Sequence, residues 1–407
     1  MTGPRTVLIS GASVSGPALA YWLHRAGFAV TVVEKADALR GGGYPVDIRG
    51  TATEVIRRTG LWPRLREAHI GPRRATFLDA AGRTVASLRA TPDEGEPRDL
   101  EIRRGDLADA LYGLVRDDVE FLFGDRVSRF DPAAHGVDVT FRSGGQATYD
   151  LVIGADGMHS ATRAALFGPE DRFHRYLGYC FALFTLPNPG HLHRELVLWN
   201  TPGKAAALYA VGDAPEVHGF LTFHRPEPPH DALRDPGAQR DLVASVFADE
   251  GWEVPRLVAA LCDADDLFFD TAGQIRMPHW SRGRVALVGD AAYAPSFLTG
   301  QGTSLALSGA YVLAHALAAH RDPTAAFAAY ERGMRPYVTA NQALVDQGGA
   351  TLFPTTERAL EQRNARLRTL GTMPSAPSRP AHTALTLPDY DGPAAPSSGV
   401  TRARPVR

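Results

Sequence analysis

The run Thr6-Val-Leu-Ile-Ser-Gly-Ala-Ser-Val-Ser-Gly16 constrains the fold of this chain more than any other stretch. Val7 to Ile9 are apolar and mostly β-branched, which reads as a buried parallel strand. The strand breaks at Gly11, where the chain must turn tightly into a helix. Ser13 stands where a dinucleotide fingerprint usually has its second glycine, and Gly16 lets the helix pack close to the strand. Free N–H groups and the positive end of the helix dipole favour a pyrophosphate at this turn. Pro17 loses nothing there, because its missing N–H would lack an intrahelical partner. A second strand, Ala29 to Val33, ends at Glu34, about 20 residues on, where a carboxylate can bond an adenosine ribose. Strand, turn, helix, strand and acid occur in the order such a site needs. An ordinary strand–helix turn is the alternative.

Further along, Arg40-Gly-Gly-Gly-Tyr-Pro-Val-Asp-Ile-Arg49 rejects regular structure at its start and admits a ligand close to the backbone; a plain loop reads equally well. Ala75 to Leu88 reads as a hairpin around Ala80-Ala81-Gly82. Glu101-Ile-Arg-Arg-Gly-Asp-Leu107 enters a helix with Leu107, Leu111 and Leu114 on one face, and Arg103 and Arg104 just before it. A second buried strand ends in Gly154-Ala-Asp-Gly157, and a third ends in Gly289-Asp290. Acids at strand ends project at the edge where open α/β sheets bind ligands, although Asp156 also suits a structural Asx-turn. A long apolar helix begins near Gly302 and offers unpaired N–H groups beside the Gly-Asp turn.

Between residues 168 and 274 the pattern changes to period-2 segments with aromatics and Pro/Gly turns, the signature of an inserted, mostly antiparallel sheet. Trp199, Tyr209, Phe220, Phe223 and Trp252 are candidates to line a pocket for a flat ligand, or else ordinary core.

With 407 residues, two domains are expected. A net charge of −2 and a pI near 6.7 give no electrostatic footprint for nucleic acid or an anionic membrane. Cys180 and Cys262 alone imply neither a disulfide framework nor a zinc site. The N-terminus lacks a signal-peptide pattern, and no apolar run is read as a membrane span, so a cytoplasmic protein is expected.

The three glycine/acid turns, in this order and spacing, resemble the single-component (class A) FAD-dependent monooxygenases, the family of para-hydroxybenzoate hydroxylase and the tetracycline-inactivating monooxygenases. The resemblance spans roughly residues 5–350. It implies an α/β fold: a Rossmann-like FAD-binding domain with an inserted, mostly antiparallel β-sheet substrate domain and C-terminal helices. The expected division is 1–167 with 275–350 for FAD, with some substrate-domain strands within 75–100. It continues with 168–274 for substrate, 351–372 as a C-terminal helix and 373–407 as a disordered tail.

By motif, the resemblance assigns Gly11, Ser13, Val14, Ser15 and Gly16 to the FAD pyrophosphate, and Glu34 with Lys35 to the ribose. Arg104, with Arg103 as fallback, would reach the phosphate and ribityl region, and Val127 would lie near the adenine. Asp156 belongs to a motif implicated in FAD and NAD(P)H binding. Asp290 would bond the ribityl chain. Pro295, Gly300, Gln301 and Gly302 would lie beside the isoalloxazine, with Val46, Asp47 and Arg49 at its other edge.

The implied reaction uses NADPH or NADH to reduce FAD; a flavin C4a-hydroperoxide then delivers one oxygen atom from O2 to an aromatic or polycyclic (polyketide-like) substrate. Hydroxylation is the leading outcome. Baeyer–Villiger oxygenation, epoxidation and a non-catalytic flavin-containing binder are the alternatives, and a monomer or homodimer is expected. No halogenase Trp-x-Trp-x-Ile-Pro signature is present. No catalytic residue is assigned, His224, His279 and Tyr209 being candidates only. Two departures from the family pattern stand out: Tyr293 replaces the usual histidine, and Ser308-Gly309 replaces the usual acid.

Overall fold

The computed structural model describes residues 4–39, 41, 43–90, 99–188, 190, 192–212, 214–373 and 379–389. In chain order, β1 (Thr6–Ser10), α1 (Ser15–Arg25), β2 (Ala29–Glu34), β3 (Pro45–Ile48), α2 (Thr51–Thr59) and α3 (Trp62–Glu67) come first. Next are β4 (Arg74–Leu78), β5 (Thr84–Arg89), β6 (Leu100–Arg103), α4 (Arg104–Gly113), β7 (Glu120–Phe123), β8 (Val127–Pro132), β9 (Val137–Phe141), β10 (Gln146–Tyr149), β11 (Leu151–Gly154) and α5 (Ala161–Phe167). The middle contains β12 (His174–Pro187), β13 (Glu195–Thr201), β14 (Lys204–Ala210), β15 (Glu216–His224), α6 (Pro236–Phe247), α7 (Val254–Asp263) and β16 (Phe268–Ile275). The chain continues through β17 (Ser281–Arg282), β18 (Val285–Leu287), α8 (Asp290–Tyr293), α9 (Gly302–Ala319), α10 (Pro323–Gln342), α11 (Val345–Leu352) and α12 (Glu357–Arg368).

The first sheet has the order β17-β18-β11-β1-β2-β7. Its four long-range pairings, β18–β11, β11–β1, β1–β2 and β2–β7, are parallel. Val7, Leu8, Ile9, Leu151, Val152 and Ile153 are fully buried, as strands covered on both faces must be. This register brings the ends of β1, β11 and β18 side by side, since Ser10 pairs with Gly154 and Gly154 with Leu287.

The second large sheet has the order β16-β12-β15-β14-β13-β4-β5. It is antiparallel except for the β4–β13 pair, which joins the 74–89 hairpin to the middle segment. Its two faces differ. Ala182, Phe184, Trp199, Leu208, Leu221 and Phe223 pack against α6 and α7. The inner face carries Leu198, Ala207, Tyr209 and Phe220.

Two sequence expectations are corrected. α9 is an 18-residue helix with the length and hydropathy of a membrane span, contrary to the reading that no such run exists. It is 72% buried and packs between α1, α2 and α10, so it is the central core helix. The segment read as a disordered tail is ordered over 379–389, because buried polar groups need its backbone. Asn341 donates to the Ala381 carbonyl (2.8 Å), Thr51 to Leu385 (3.0 Å) and Tyr311 to Pro388 (2.7 Å). Residues 374–378 and 390–407 of that expected tail lie outside the described residues, as do Arg40 and Gly42 of the glycine loop.

Candidate functional site

The three strand-end turns meet. Gly11 has φ +109°, and a Cβ there would lie 2.5 Å from the Ala155 carbonyl and 3.0 Å from Asp156 Cα. A Cβ on Gly16 would stand 1.9 Å from the Gly11 carbonyl, so this turn tolerates no side chain at either place. Gly289, at φ +65°, is equally close to the first turn: its Cβ would lie 2.2 Å from Ser15 Oγ. Gly11, Asp156 and the Gly289-Asp290 turn therefore share one edge of the first sheet.

Two helices start at that edge, α1 after Val14 and α9 after Gln301. Among the described residues, no side chain caps either first turn. Their leading N–H groups form two sites suited to negative charge. Arg104 adds a guanidinium, donating from Nη2 to Ser13 Oγ at 2.8 Å. Arg103 points elsewhere, its charge felt by His218 of β15. Glu34 accepts from the Ala12 N–H (2.8 Å) and the Ala36 N–H (3.0 Å), which fixes its carboxylate with lone pairs to spare. Beyond it, Lys35, Ala36, Gly124, Asp125, Arg126 and Arg142 line a cleft of about 250 Å³. Val127 itself is buried beneath this cleft, in a cluster with Val33, Val137 and Phe141.

Asp290 sits at the start of α9, its Oδ1 3.8 Å from where a Gly302 Cβ would be. Burial pushes its carboxyl up to about 6, against the opposing pull of Arg104. The Asp156 side chain has partners within its own segment. Its carboxylate accepts from Ser160 Oγ, Thr162 N (2.9 Å) and Thr162 Oγ1 (3.0 Å), so it organises the entry to α5. These bonds reach four and six residues on, so they form a local brace before α5 and not the i+2 bond of an Asx-turn.

Pro295 is buried and its carbonyl accepts from Gln274 (3.1 Å). Ser296 adopts φ +79°, a left-handed conformation unusual for serine. Gly300, also left-handed, lies against Asp47: a Cβ would be 3.0 Å from Asp47 Oδ2. Gln301 is fully buried, its Nε2 donating to the Gly300 carbonyl at 3.2 Å. Val46 pairs with Ile102 across β3 and β6, and Asp47 Oδ1 is 2.9 Å from Arg49 Nη2.

The inner sheet face closes over this loop with aromatic rings. Phe181 lies 4.5 Å from Phe297 and 5.9 Å from Phe268, and Tyr44 is 6.1 Å from Phe268. Phe268 and Phe297 are about 40% exposed, the large apolar residues left open among those described. Tyr209 and Phe220 belong to this face. Trp199 and Phe223 do not, which corrects their reading as pocket residues. In a strand, alternate side chains point to opposite faces, and these two point at α6 and α7. Trp252 packs in the same outer cluster.

Sequence reasoning missed Tyr44, Phe181, Phe268 and Phe297, whose proximity depends on the sheet crossing the loop. It also missed a charged latch between the two halves. His159 Nδ1 is 2.9 Å from Glu170 Oε1, and its Nε2 is 3.1 Å from Asp270 Oδ2 on β16. These hydrogen bonds, Asp270 first, raise the imidazole to about 10, so it is a cation at neutral pH.

Two uncapped helix starts, a ribose-ready carboxylate and a guanidinium along one sheet edge fit a dinucleotide with a flat second ring under the aromatic face. Comparison with known proteins agrees. The FAD binding domain family model matches residues 5–197 and 265–344. A flavin-dependent monooxygenase from an unknown prokaryotic organism is 36% identical over 394 residues, covering 96% of this chain and all of the relative. The crystal structure of tetracycline destructase Tet(55) is similar, with a TM-score of 0.84, 34% identity and coverage of 96% of this chain and all of that one. A variant of Klebsiella pneumoniae HpxO complexed with FAD is also similar, with a TM-score of 0.72, 25% identity and coverage of 90% and 95%.

Proposed function

The chain belongs to the FAD-binding-domain family of flavin-dependent monooxygenases, and we propose that it consumes NAD(P)H and O2 to hydroxylate a polycyclic or other aromatic substrate. The observation that carries this reading is the meeting of three strand-end turns beneath an aromatic sheet face. Similarity to a tetracycline destructase supports a polycyclic substrate.

Ser13 to Gly16, with Arg104 and the start of α1, would hold the FAD pyrophosphate after the Gly11 turn. Glu34 would take the ribose, with Lys35 and the backbone at Val127 toward the adenine end. Asp290 would bond the ribityl chain. Pro295 and Gly300 to Gly302 would flank the ring, with Val46, Asp47 and Arg49 at its other edge. The start of α9 favours negative charge at that place. Asp156 would act by holding its turn. When bound, FAD supplies the electron transfer and O2 activation. The chain's own task is to orient the substrate and keep water away, which suits Tyr209, Phe220, Phe268 and Phe297 on the aromatic face. A transient nicotinamide site matches the single glycine fingerprint. A cytoplasmic monomer or homodimer belongs to the same proposal.

The test is an absorption spectrum for bound FAD, then NADPH and NADH consumption across a panel of polycyclic phenols that includes tetracycline. Mass spectrometry then reads the product. Gain of one oxygen with the ring intact is the expected result. A lactone would replace hydroxylation by Baeyer–Villiger chemistry. Ligand binding with no stimulated NAD(P)H oxidation would leave a binder.

A further inference from the structure

Residues 380–389 lie across α10, α2 and α9, held mostly by their own backbone carbonyls. Asn341 of α10 donates to the Ala381 carbonyl (2.8 Å), Tyr337 to that of His382 (3.4 Å) and Thr51 of α2 to that of Leu385 (3.0 Å). Tyr311 of α9 and Arg58 of α2 both donate to the Pro388 carbonyl, at 2.7 and 3.0 Å, and Arg58 also pairs with Asp389 at 3.1 Å. Leu385 and Leu387 pack on the main core, and His382 is 4% exposed.

The segment reaches the candidate site at Gly50. That glycine has φ +56°, and a Cβ there would stand 2.1 Å from the His382 carbonyl oxygen, so the carbonyl takes the place of a side chain. The other sides of the same link are closed as well. The Arg49 N–H donates to Ser304 Oγ in the first turn of α9 (3.0 Å), and the Gly50 N–H donates to Asp99 Oδ1 (3.0 Å). The Gly50 carbonyl accepts from Thr53 Oγ1 at 2.8 Å. Just before this link, Arg49 pairs with Asp47 at 2.9 Å, and Asp47 Oδ2 lies against Gly300. The C-terminal segment, the end of β3 and the start of α9 thus pack on one peptide link. Withdrawal of His382 removes one wall from it.

We propose that residues 380–389 are a clasp for the cofactor, an inference that rests on the placement of Asp47 and Arg49 at the flavin ring edge. Docked, the clasp holds the Arg49–Gly50 link, and with it those two side chains, where FAD needs them. Bound FAD in turn holds the clasp docked. His382 is a positioning residue, since it acts through Gly50. The coupling is reciprocal: the factor by which a docked clasp strengthens FAD binding is the factor by which FAD favours docking. A segment that only stabilised the fold would shift the melting temperature and leave the FAD affinity of the folded protein unchanged. Loss of FAD therefore exposes Leu385 and Leu387.

Limited thermolysin digestion of the full-length wild type, with and without FAD, reads the docking, because cleavage follows the population of the open segment. Mass spectrometry should find cuts before Leu385 and Leu387 that FAD slows by about tenfold. Flavin-fluorescence titration reads the other direction. Leu385→Ser/Leu387→Ser, folded by circular dichroism, should bind FAD about tenfold more weakly than wild type, and Leu385→Ile/Leu387→Ile should restore the affinity. Thr51→Val removes only the hydrogen bond to the Leu385 carbonyl and should weaken FAD binding about threefold. It decides the matter if the double serine variant does not fold. Cutting that FAD leaves unchanged, or variants that melt lower yet bind FAD as tightly as wild type, overturn the clasp. Wild type that takes up no FAD refutes the cofactor reading instead. Arg49→Ala that binds FAD as wild type does refutes the ring-edge placement on which the clasp rests.

Discussion

Gly309 in α9 is the contact surface for Tyr293: a Cβ on Gly309 would stand 1.9 Å from the Tyr293 hydroxyl oxygen. Both residues depart from the pattern of the family, where a histidine and an acid are usual. The structure makes the departures one packing solution. The phenol is 1% exposed, 4.6 Å from the Trp280 ring and 3.0 Å from Tyr330 Oη, and it fills the space an α9 side chain would need. Gly309→Ala in an exposed helix would gain about 1 kcal/mol. Here it should cost about 1–3 kcal/mol by overpacking. Tyr293→Leu in the same chain should recover most of that loss. Denaturant unfolding of the single and double variants checks it, and a stabilised Gly309→Ala would contradict the packing.

Ser13, the other departure, is held by Arg104 at 2.8 Å. Arg104→Ala should weaken FAD binding by about 1.5–3 kcal/mol, the range for a hydrogen bond to a charged group, whereas Ser13→Gly should cost about 1 kcal/mol or less. Flavin-fluorescence titration of the apoprotein measures both. The reverse order would show that the serine, not the guanidinium, makes the contact.

The His159 latch has a pH signature. Its imidazole is raised to about 10 by Asp270 and Glu170, above the ordinary value of about 6.5. A raised folded-state value stabilises fully below pH ~6.5 and is lost as pH rises through the folded value. The melting-temperature gap between wild type and His159→Gln should therefore be widest at about pH 6 and close toward pH 10. A gap that widens with pH would mean the ring is neutral in the fold.

The two sheet faces predict a separation of stability from substrate handling. Trp199 is fully buried against the outer helices and donates from Nε1 to the Ala80 carbonyl at 3.2 Å. Trp199→Ala should cost about 3–5 kcal/mol of stability. Its milder Trp199→Phe form should leave KM for a turned-over polycyclic phenol unchanged. Phe220→Leu on the inner face should change that KM with little loss of stability. Steady-state kinetics and thermal melts on both variants decide it.

The physics explains which features the sequence disclosed. Gly11, Gly16 and Glu34 are legible because a tight turn, a close helix and an acid that ties the second strand's end to the first turn each demand a particular residue type at a fixed spacing. The alternation of the middle strands is legible too, but not which face is inner. Trp199 and Phe220 lie in strands with the same apolar character, and only the position of α6 and α7 separates them. Asp156 illustrates the same gap: a strand-end acid can serve a ligand or its own helix, and the choice depends on where Ser160 and Thr162 turn. The ordered 379–389 segment is set by the groups that receive it, Thr51, Tyr311 and Asn341, rather than by its own Pro/Ala-rich composition.

The most direct measurement of the central claim is the flavin content of purified wild-type protein and of Asp290→Ala, read from the absorption spectrum after incubation with FAD and removal of the excess. Asp290 stands where the third strand end meets the start of α9. Stoichiometric flavin in the wild type and a largely colourless variant is the expected result. Full retention by Asp290→Ala, or a wild type that takes up no flavin, would contradict the site.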